Sequence, residues 1–330
     1  MVSLVLGLSV SGAQANELYL IDAHSQIDHF VDRSTIVPLM DKAGIRHVIL
    51  STRGRVAPEQ ITGFAAKHPD RVTASVRTKS KHYASNSPKF YKKFEKQMRM
   101  PGFGAMAELI LWHAKKGNKA PEWVVPPDAK QVRVALKGAL AKGWPFIIHI
   151  EFNSLSRTDY KTYMDGLGRL LIANPDHPFV LIHMAQIEAG PAGKLLAVHS
   201  NLHFMTSHAS PSYQRGGKPF INMFEGDSLK PEWKALVAKY PDRFVFALDN
   251  VFSFFWTPDR YLSKMRLWWK AVTELPPEQA HLLAHGNAER LWRLAPKPSA
   301  VTVFTPDQAK KHLGAIKGST STARRFRRRR

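Results

Sequence analysis

Between Leu18 and Asp249 of this 330-residue chain, short apolar runs alternate with segments of helical period, and the runs recur eight times. They span residues 18–22, 47–51, 71–77, 104–110, 146–150, 179–183, 202–206 and 243–249. Several are nearly unbroken in their apolar character, as parallel strands buried on both faces are. Helical period is clearest over 36–43, 58–67, 129–142, 160–173 and 232–239. Three helix-to-strand returns share one design: Lys67-His68-Pro69-Asp70-Arg71, Ala173-Asn174-Pro175-Asp176 and Lys239-Tyr240-Pro241-Asp242-Arg243. Proline stops the helix and the short acid turns the chain back. Gly44 and Gly143 are placed to end two further helices. Strands and helices joined by short returns make parallel βαβ units, and eight such units predict an α/β fold, a (β/α)8 TIM barrel. The barrel is expected as a single domain over 16–295, which is within the size one domain reaches.

The strand ends carry the chemistry. Asp22-Ala23-His24-Ser25-Gln26 closes the first run, Ile148-His149-Ile150-Glu151 the fifth, Leu181-Ile182-His183 the sixth and Ala247-Leu248-Asp249 the eighth. Residues i and i+2 on a strand share a side, so His24 and Gln26 look the same way. A single His at a strand end reads most simply as a buried histidine bonded to backbone. His149 and His183 on neighbouring strands at one height read as metal ligands. A carboxylate after an apolar run, as at Asp249, has to be paired, hydrogen-bonded or metal-bound. Glu108 lies near the end of the fourth run and suits either a metal or the orientation of a ligand histidine. Three histidines, a carboxylate and an open position make a catalytic arrangement for zinc or a similar ion.

These strings, in this order, resemble the amidohydrolase superfamily, in its amidohydrolase-related branch. The resemblance covers about residues 18–294 and includes His285-Gly286-Asn287-Ala288-Glu289-Arg290-Leu291-Trp292, read as a closing helix with Asn287 as N-cap and Leu291 and Leu294 as its buried face. It implies a barrel with one or two divalent metals at its mouth, usually zinc, with manganese or iron as alternatives. It implies ligand roles for His24, His149 and His183, and a ligand or general-base role for Asp249. The chain departs from the family at Gln26, where the pattern has His. An amide oxygen is a poorer ligand for such a metal than imidazole. Gln26 ligates through oxygen, or the remaining groups hold the metal with Glu108, or the site holds none.

The long connections, 78–101, 112–128 and 207–231, fall on the catalytic face as lids and walls. They and the strand ends supply Arg77, His113, Arg157, His208, Tyr213 and Arg215 as contacts for a small-molecule substrate, and arginine suits an anionic one. Phe252, Phe254, Phe255 and Trp256 wall the pocket or pack beneath a loop.

The reaction implied is hydrolysis of a C–N or C–O bond, with non-oxidative decarboxylation as the alternative inside the same branch. A non-catalytic binding barrel is the reading that Gln26 and the basic balance favour. The formal charge is +22, of which seven positives lie in residues 317–330 with no acid among them. Residues 318–330, the end of a 296–330 appendage, are expected to be disordered. No specific nucleic-acid partner is expected, because the sharpest charge run is only a tail. Self-association into a homo-oligomer is left open. Residues 1–15, apolar and ending Ala13-Gln14-Ala15, read as a signal peptide cleaved after Ala15. The run is too short to be a transmembrane segment. A periplasmic or secreted location follows, or a cytoplasmic one if the start is no leader.

Overall fold

The computed structural model describes residues 18–115, 122–213, 220–295 and 304–326. The expected leader and residues 327–330 of the tail lie outside the described residues, as does Arg215. Strands β1 (Leu20–Ile27), β2 (Ile45–Thr52), β3 (Val72–Val76) and β4 (Phe103–Met106) form one parallel sheet. A second sheet contains β5 (Leu109–His113), β6 (Trp123–Val124), β7 (Phe146–Ile150), β8 (Phe179–Leu181) and β9 (Leu202–Met205). After the small hairpin of β10 (Phe224–Glu225) and β11 (Ser228–Leu229), β12 (Phe244–Val245) completes it. All its pairings are parallel except that of β5 with β6. Backbone hydrogen bonds join the two sheets where β1 meets the chain after β12: Ala23 donates to the Phe246 carbonyl at 3.1 Å and Asp249 to that of His24 at 2.7 Å. At the other edge the chain runs from β4 through Ala107 and Glu108 into β5. The architecture is a TIM barrel.

The helices are α1 (Ile36–Ala43), α2 (Pro58–Lys67), α3 (Lys81–Ala84), α4 (Pro88–Arg99), α5 (Lys130–Lys142), α6 (Arg157–Ile172), α7 (Ala189–Val198) and α8 (Pro231–Lys239). They continue as α9 (Pro258–Thr273), α10 (Pro277–His281), α11 (Asn287–Trp292) and α12 (Pro306–Phe326). The expected helices stand within a few residues of their positions. Gly44 and Gly143 close α1 and α5 in the left-handed conformation, at φ 69° and 62°.

Four expectations are corrected. The fourth strand is two, broken at Ala107 and Glu108: β4 pairs with β3, and β5 runs on to pair with β7. The sixth strand stops at Leu181, because His183 to Gln186 turn left-handed. The connection 78–101 is largely helix. Ser87 caps α4, Pro88 opens it, and Phe90, Phe94 and Gln97 form its buried stripe. Asn287 is no N-cap. It lies inside the helical backbone, and its side chain donates to the carbonyls of Pro241 and Phe244 at 2.8 Å each, tying α11 under the barrel.

A separate apolar cluster fills the barrel interior. Ile21, Ala23, Ile147, Val180, Met205 and Ala247 point inward, and Leu291 and Trp292 of α11 plug the bottom. The site therefore lies above a packed floor, as expected of this fold. Phe304 pairs with Leu18, and α12 packs on α9, with Ala309 and Ile316 buried. Part of the expected appendage is thus docked, and its helix continues to Phe326, into the segment read as lacking structure. Among the described residues no helix is long and apolar enough to cross a membrane.

Candidate metal centre

Three backbone irregularities aim the polar side chains. In β1, one extra residue stands between Asp22, opposite Val48, and Ser25, opposite Leu50. This is a β-bulge, and it shifts the strand's parity. Ile21 and Ala23 face the interior below it, and His24 and Gln26 face the interior above it. After β8, His183, Met184, Ala185 and Gln186 have φ between 51° and 55°. His208 (57°) and Asp249 (47°) are also left-handed. Such a backbone costs a side-chain-bearing residue roughly 1–2 kcal/mol, and it collects at functional sites.

Two buried carboxylates, Glu108 and Asp249, organise the mouth. The Gln26 amide nitrogen donates to Glu108 Oε1 and to Asp249 Oδ1, each at 3.0 Å. The amide has to present nitrogen here, since its oxygen would face two carboxylates. His24 Nε2 lies 3.6 Å from Asp249 Oδ1 and 4.0 Å from Glu108 Oε1. It is buried and has no hydrogen-bond partner. Glu108 also accepts from Lys79 Nζ at 3.1 Å and from His149 Nδ1 at 2.6 Å. Burial pushes the Glu108 carboxyl up, but Lys79, His149 and His24 outweigh it and hold the group well below the usual range.

The other nitrogen of His149 lies 3.1 Å from Glu151 Oε1. A carboxylate at each ring nitrogen favours the protonated ring. Burial pulls its pKa down, yet Glu108 and Glu151 raise it overall. His183 Nδ1 lies 3.1 Å from the Ser207 carbonyl, which only accepts. The Ser207 hydroxyl lies 3.0 Å from the same nitrogen, and Nε2 faces Asp249 Oδ2 at 3.5 Å. His208 stacks parallel on His183 at 4.3 Å and places Nε2 3.0 Å from the Asp249 carbonyl.

The residues expected to bind metal, His24, Gln26, Glu108, His149, His183 and Asp249, all meet here. Their ligand atoms fall into overlapping groups, each within 4.8 Å: His24–Glu108–Asp249, Glu108–His149–His183, His183–His208–Asp249 and His113–His149–Glu151. His113 and His208, expected to touch substrate, thus stand among the ligand groups. Arg77 is tied to backbone, with Nη1 on the Gly54 carbonyl at 3.0 Å and Nε on that of Lys79 at 3.2 Å. Arg157 is exposed at the start of α6 and lies outside the cluster's hydrogen bonds. Tyr213 ends the turn Pro211–Tyr213.

Three members went unread in the sequence. Glu151 stands two residues after His149, the spacing that links His24 to Gln26, and was legible by the same rule. Lys79 and Arg53 lie just past strand ends and carry no local signal. Of the aromatic string, Trp256 is buried and donates its indole N–H to the Gln26 carbonyl at 3.1 Å. Phe252 and Phe254 are two-fifths exposed at the rim.

The donor set fits a divalent cation. A buried imidazole nitrogen without a partner, facing two carboxylate oxygens, is what a cation satisfies. Gln26 is the one mismatch, because it presents N–H to the same oxygens.

Among solved structures the chain is similar to an uncharacterised TIM-barrel protein from Bordetella bronchiseptica, at TM-score 0.54 and 15% identity over 85% of this chain and 100% of that one. It is similar to dihydroorotase from Campylobacter jejuni at 0.52 and 13%, over 90% of each. It is also similar to a probable 2-pyrone-4,6-dicarboxylic acid hydrolase from Acinetobacter baumannii at 0.50 and 13%, over 84% and 100%. Identities this low establish the fold alone. None of the curated proteins compared matches the sequence. The amidohydrolase family profile matches residues 38–294, most of the chain and every strand end from Glu108 to Asp249, and the protein belongs to the amidohydrolase family.

Proposed function

We propose that the protein is a metal-dependent hydrolase that adds water across a C–N or C–O bond of a small organic substrate. The observation that carries this reading is the convergence of His24 Nε2, without a partner, on Glu108 and Asp249. His24, Glu108, His183 and Asp249 would hold the cation, most often zinc in this family, with Gln26 as a further ligand if its amide presented oxygen. His149 joins them only by giving up one of its two carboxylates, so its main work is to orient Glu108. When bound, a divalent cation acidifies water and polarises a carbonyl oxygen. Asp249 takes a proton at a carboxylate oxygen and returns it to the departing nitrogen or oxygen. His183 and His208, packed against that carboxylate, fix its direction. Glu108, kept ionised by Lys79 and His149, keeps its negative charge for the cation.

The test is a screen of amides, esters and lactones with protein loaded with zinc, manganese or iron, following acid release with a pH indicator. Turnover that Asp249→Asn lowers by about 10²-fold or more is expected. A loaded protein that cleaves none of them but releases carbon dioxide from aromatic carboxylates would replace hydrolysis with decarboxylation. A protein that does neither is a binding barrel.

A further inference from the structure

Arg53 follows Thr52, the last residue of β2, and its guanidinium lies over the ring of Phe252, 4.2 Å from the centroid. It is partly buried. Other arginines of the barrel have carboxylate partners: Arg46 with Glu289, Arg71 with Asp41 and Arg266 with Asp227. Arg53 forms no ion pair with any described residue. Its backbone N–H donates to the Ile27 carbonyl at the end of β1 at 2.9 Å, and Phe252 stands three residues past Asp249, so the group lies at the mouth, where Asp249, Asp28 and Glu108 act on its charge. Among the described residues no ion pair joins it to Asp28, whose Oδ1 accepts from the Phe30 backbone N–H at 2.9 Å. Glu108 is taken by Lys79, His149 and Gln26.

Arg77 holds the carbonyl of Gly54, the residue after Arg53, and lies near enough to feel the charge of Arg53. Its bonds to the Gly54 and Lys79 carbonyls fix the loop that carries Arg53. Burial lowers the pKa of both groups, and the charge of Arg53 lowers that of Arg77 further. Two partly buried like charges near each other are unfavourable until an anion joins them. With one face on Phe252, the guanidinium of Arg53 keeps its edge for a ligand, and that planar fork matches a carboxylate.

We propose that Arg53, seated on Phe252 and backed by Arg77, is the subsite for a carboxylate carried by the substrate away from the bond that is cut. The substrate is then a small carboxylic acid flat enough to lie against Phe252. This rests on the hydrolase reading, but anion binding at Arg53 needs no cation and is measured without one.

The experiment titrates succinate, benzoate, phthalate and citrate, with benzamide as the neutral control, into EDTA-treated full-length protein by calorimetry. Wild type is expected to bind at least one of the acids, more weakly as salt rises, and not benzamide. Arg53→Ala is expected to weaken that binding by about tenfold or more, and Arg53→Lys to recover part of it. A thermal melt of each variant establishes that it is folded. Wild type that binds none of the acids, or Arg53→Ala that binds them equally well, overturns the proposal. Metal content measured on the same proteins separates the two readings. Wild type that takes up no metal yet binds acid through Arg53 defeats the hydrolase and leaves the subsite standing.

Discussion

The side-chain amide of Gln26 donates to Glu108 at 3.0 Å, joining the end of β1 to the break between β4 and β5, and the same nitrogen reaches Asp249. A neutral group thereby bridges two buried carboxylates where the sequence resemblance implies a second imidazole. Removing the bridge in metal-free protein takes one buried donor from each of those carboxylates. Gln26→Leu is expected to cost about 1–3 kcal/mol in urea unfolding with EDTA present. Gln26→His is expected to raise zinc affinity by about tenfold or more, since imidazole is the better ligand. Equal stability and equal affinity in both variants would mean that the amide bridge has no role.

Glu151 holds His149 from the side away from Glu108. Outer partners of this kind typically govern metal affinity by about 10–100-fold. Glu151→Gln should weaken metal binding within that range while the circular dichroism spectrum stays unchanged. An unchanged dissociation constant would remove Glu151 from the site's support.

Away from the mouth, His47 gives a pH signature. Its Nδ1 lies 3.1 Å from the Asp70 carbonyl and its Nε2 2.8 Å from Thr73 Oγ1, an arrangement suited to a neutral ring. Burial first, then Arg46 and Arg71, lowers its pKa to about 4 from 6.5. The folded pKa lies below the unfolded one, so protonation favours unfolding. Stability is expected to be intact above pH 6.5 and to fall progressively from pH 6.5 to 4, by up to about 3 kcal/mol from this group. His47→Gln should flatten that limb of the urea stability curve. An identical slope in the variant would assign the acid sensitivity elsewhere.

Gly44 ends α1 at φ 69°, and a Cβ there would stand 2.6 Å from Trp269 Cζ2. Gly44→Ala therefore adds backbone strain to a steric clash and should lower stability by more than about 1 kcal/mol, read as a drop in melting temperature. A variant as stable as wild type would show that Trp269 yields freely.

Much of this barrel was legible because its determinants are local. Apolar runs mark strands buried on both faces, and Pro-Asp returns and Gly44 mark where helices end. The strand-end rule singled out His24, Glu108, His149, His183 and Asp249, whose side chains the fold brings together at the mouth. What it missed depends on geometry that sequence spacing does not carry. The extra residue in β1 and the left-handed turn from His183 to Gln186 re-aim side chains with no glycine to announce them. Lys79 and Arg53 reach the mouth from loops, where no periodicity shows which way a side chain points. The stripe Phe90–Phe94–Gln97 of α4 was readable, but the lysines around it made the segment resemble a loop.

The central claim is that this mouth holds a divalent cation despite Gln26. The direct measurement is metal content by plasma mass spectrometry, on wild type beside a His24→Ala/Asp249→Ala double variant, after reconstitution with zinc, manganese or iron. The account predicts about one or more equivalents bound by wild type and lost by a folded double variant. Wild type that retains no divalent metal under any of these conditions would contradict it and make the chain a barrel without metal chemistry.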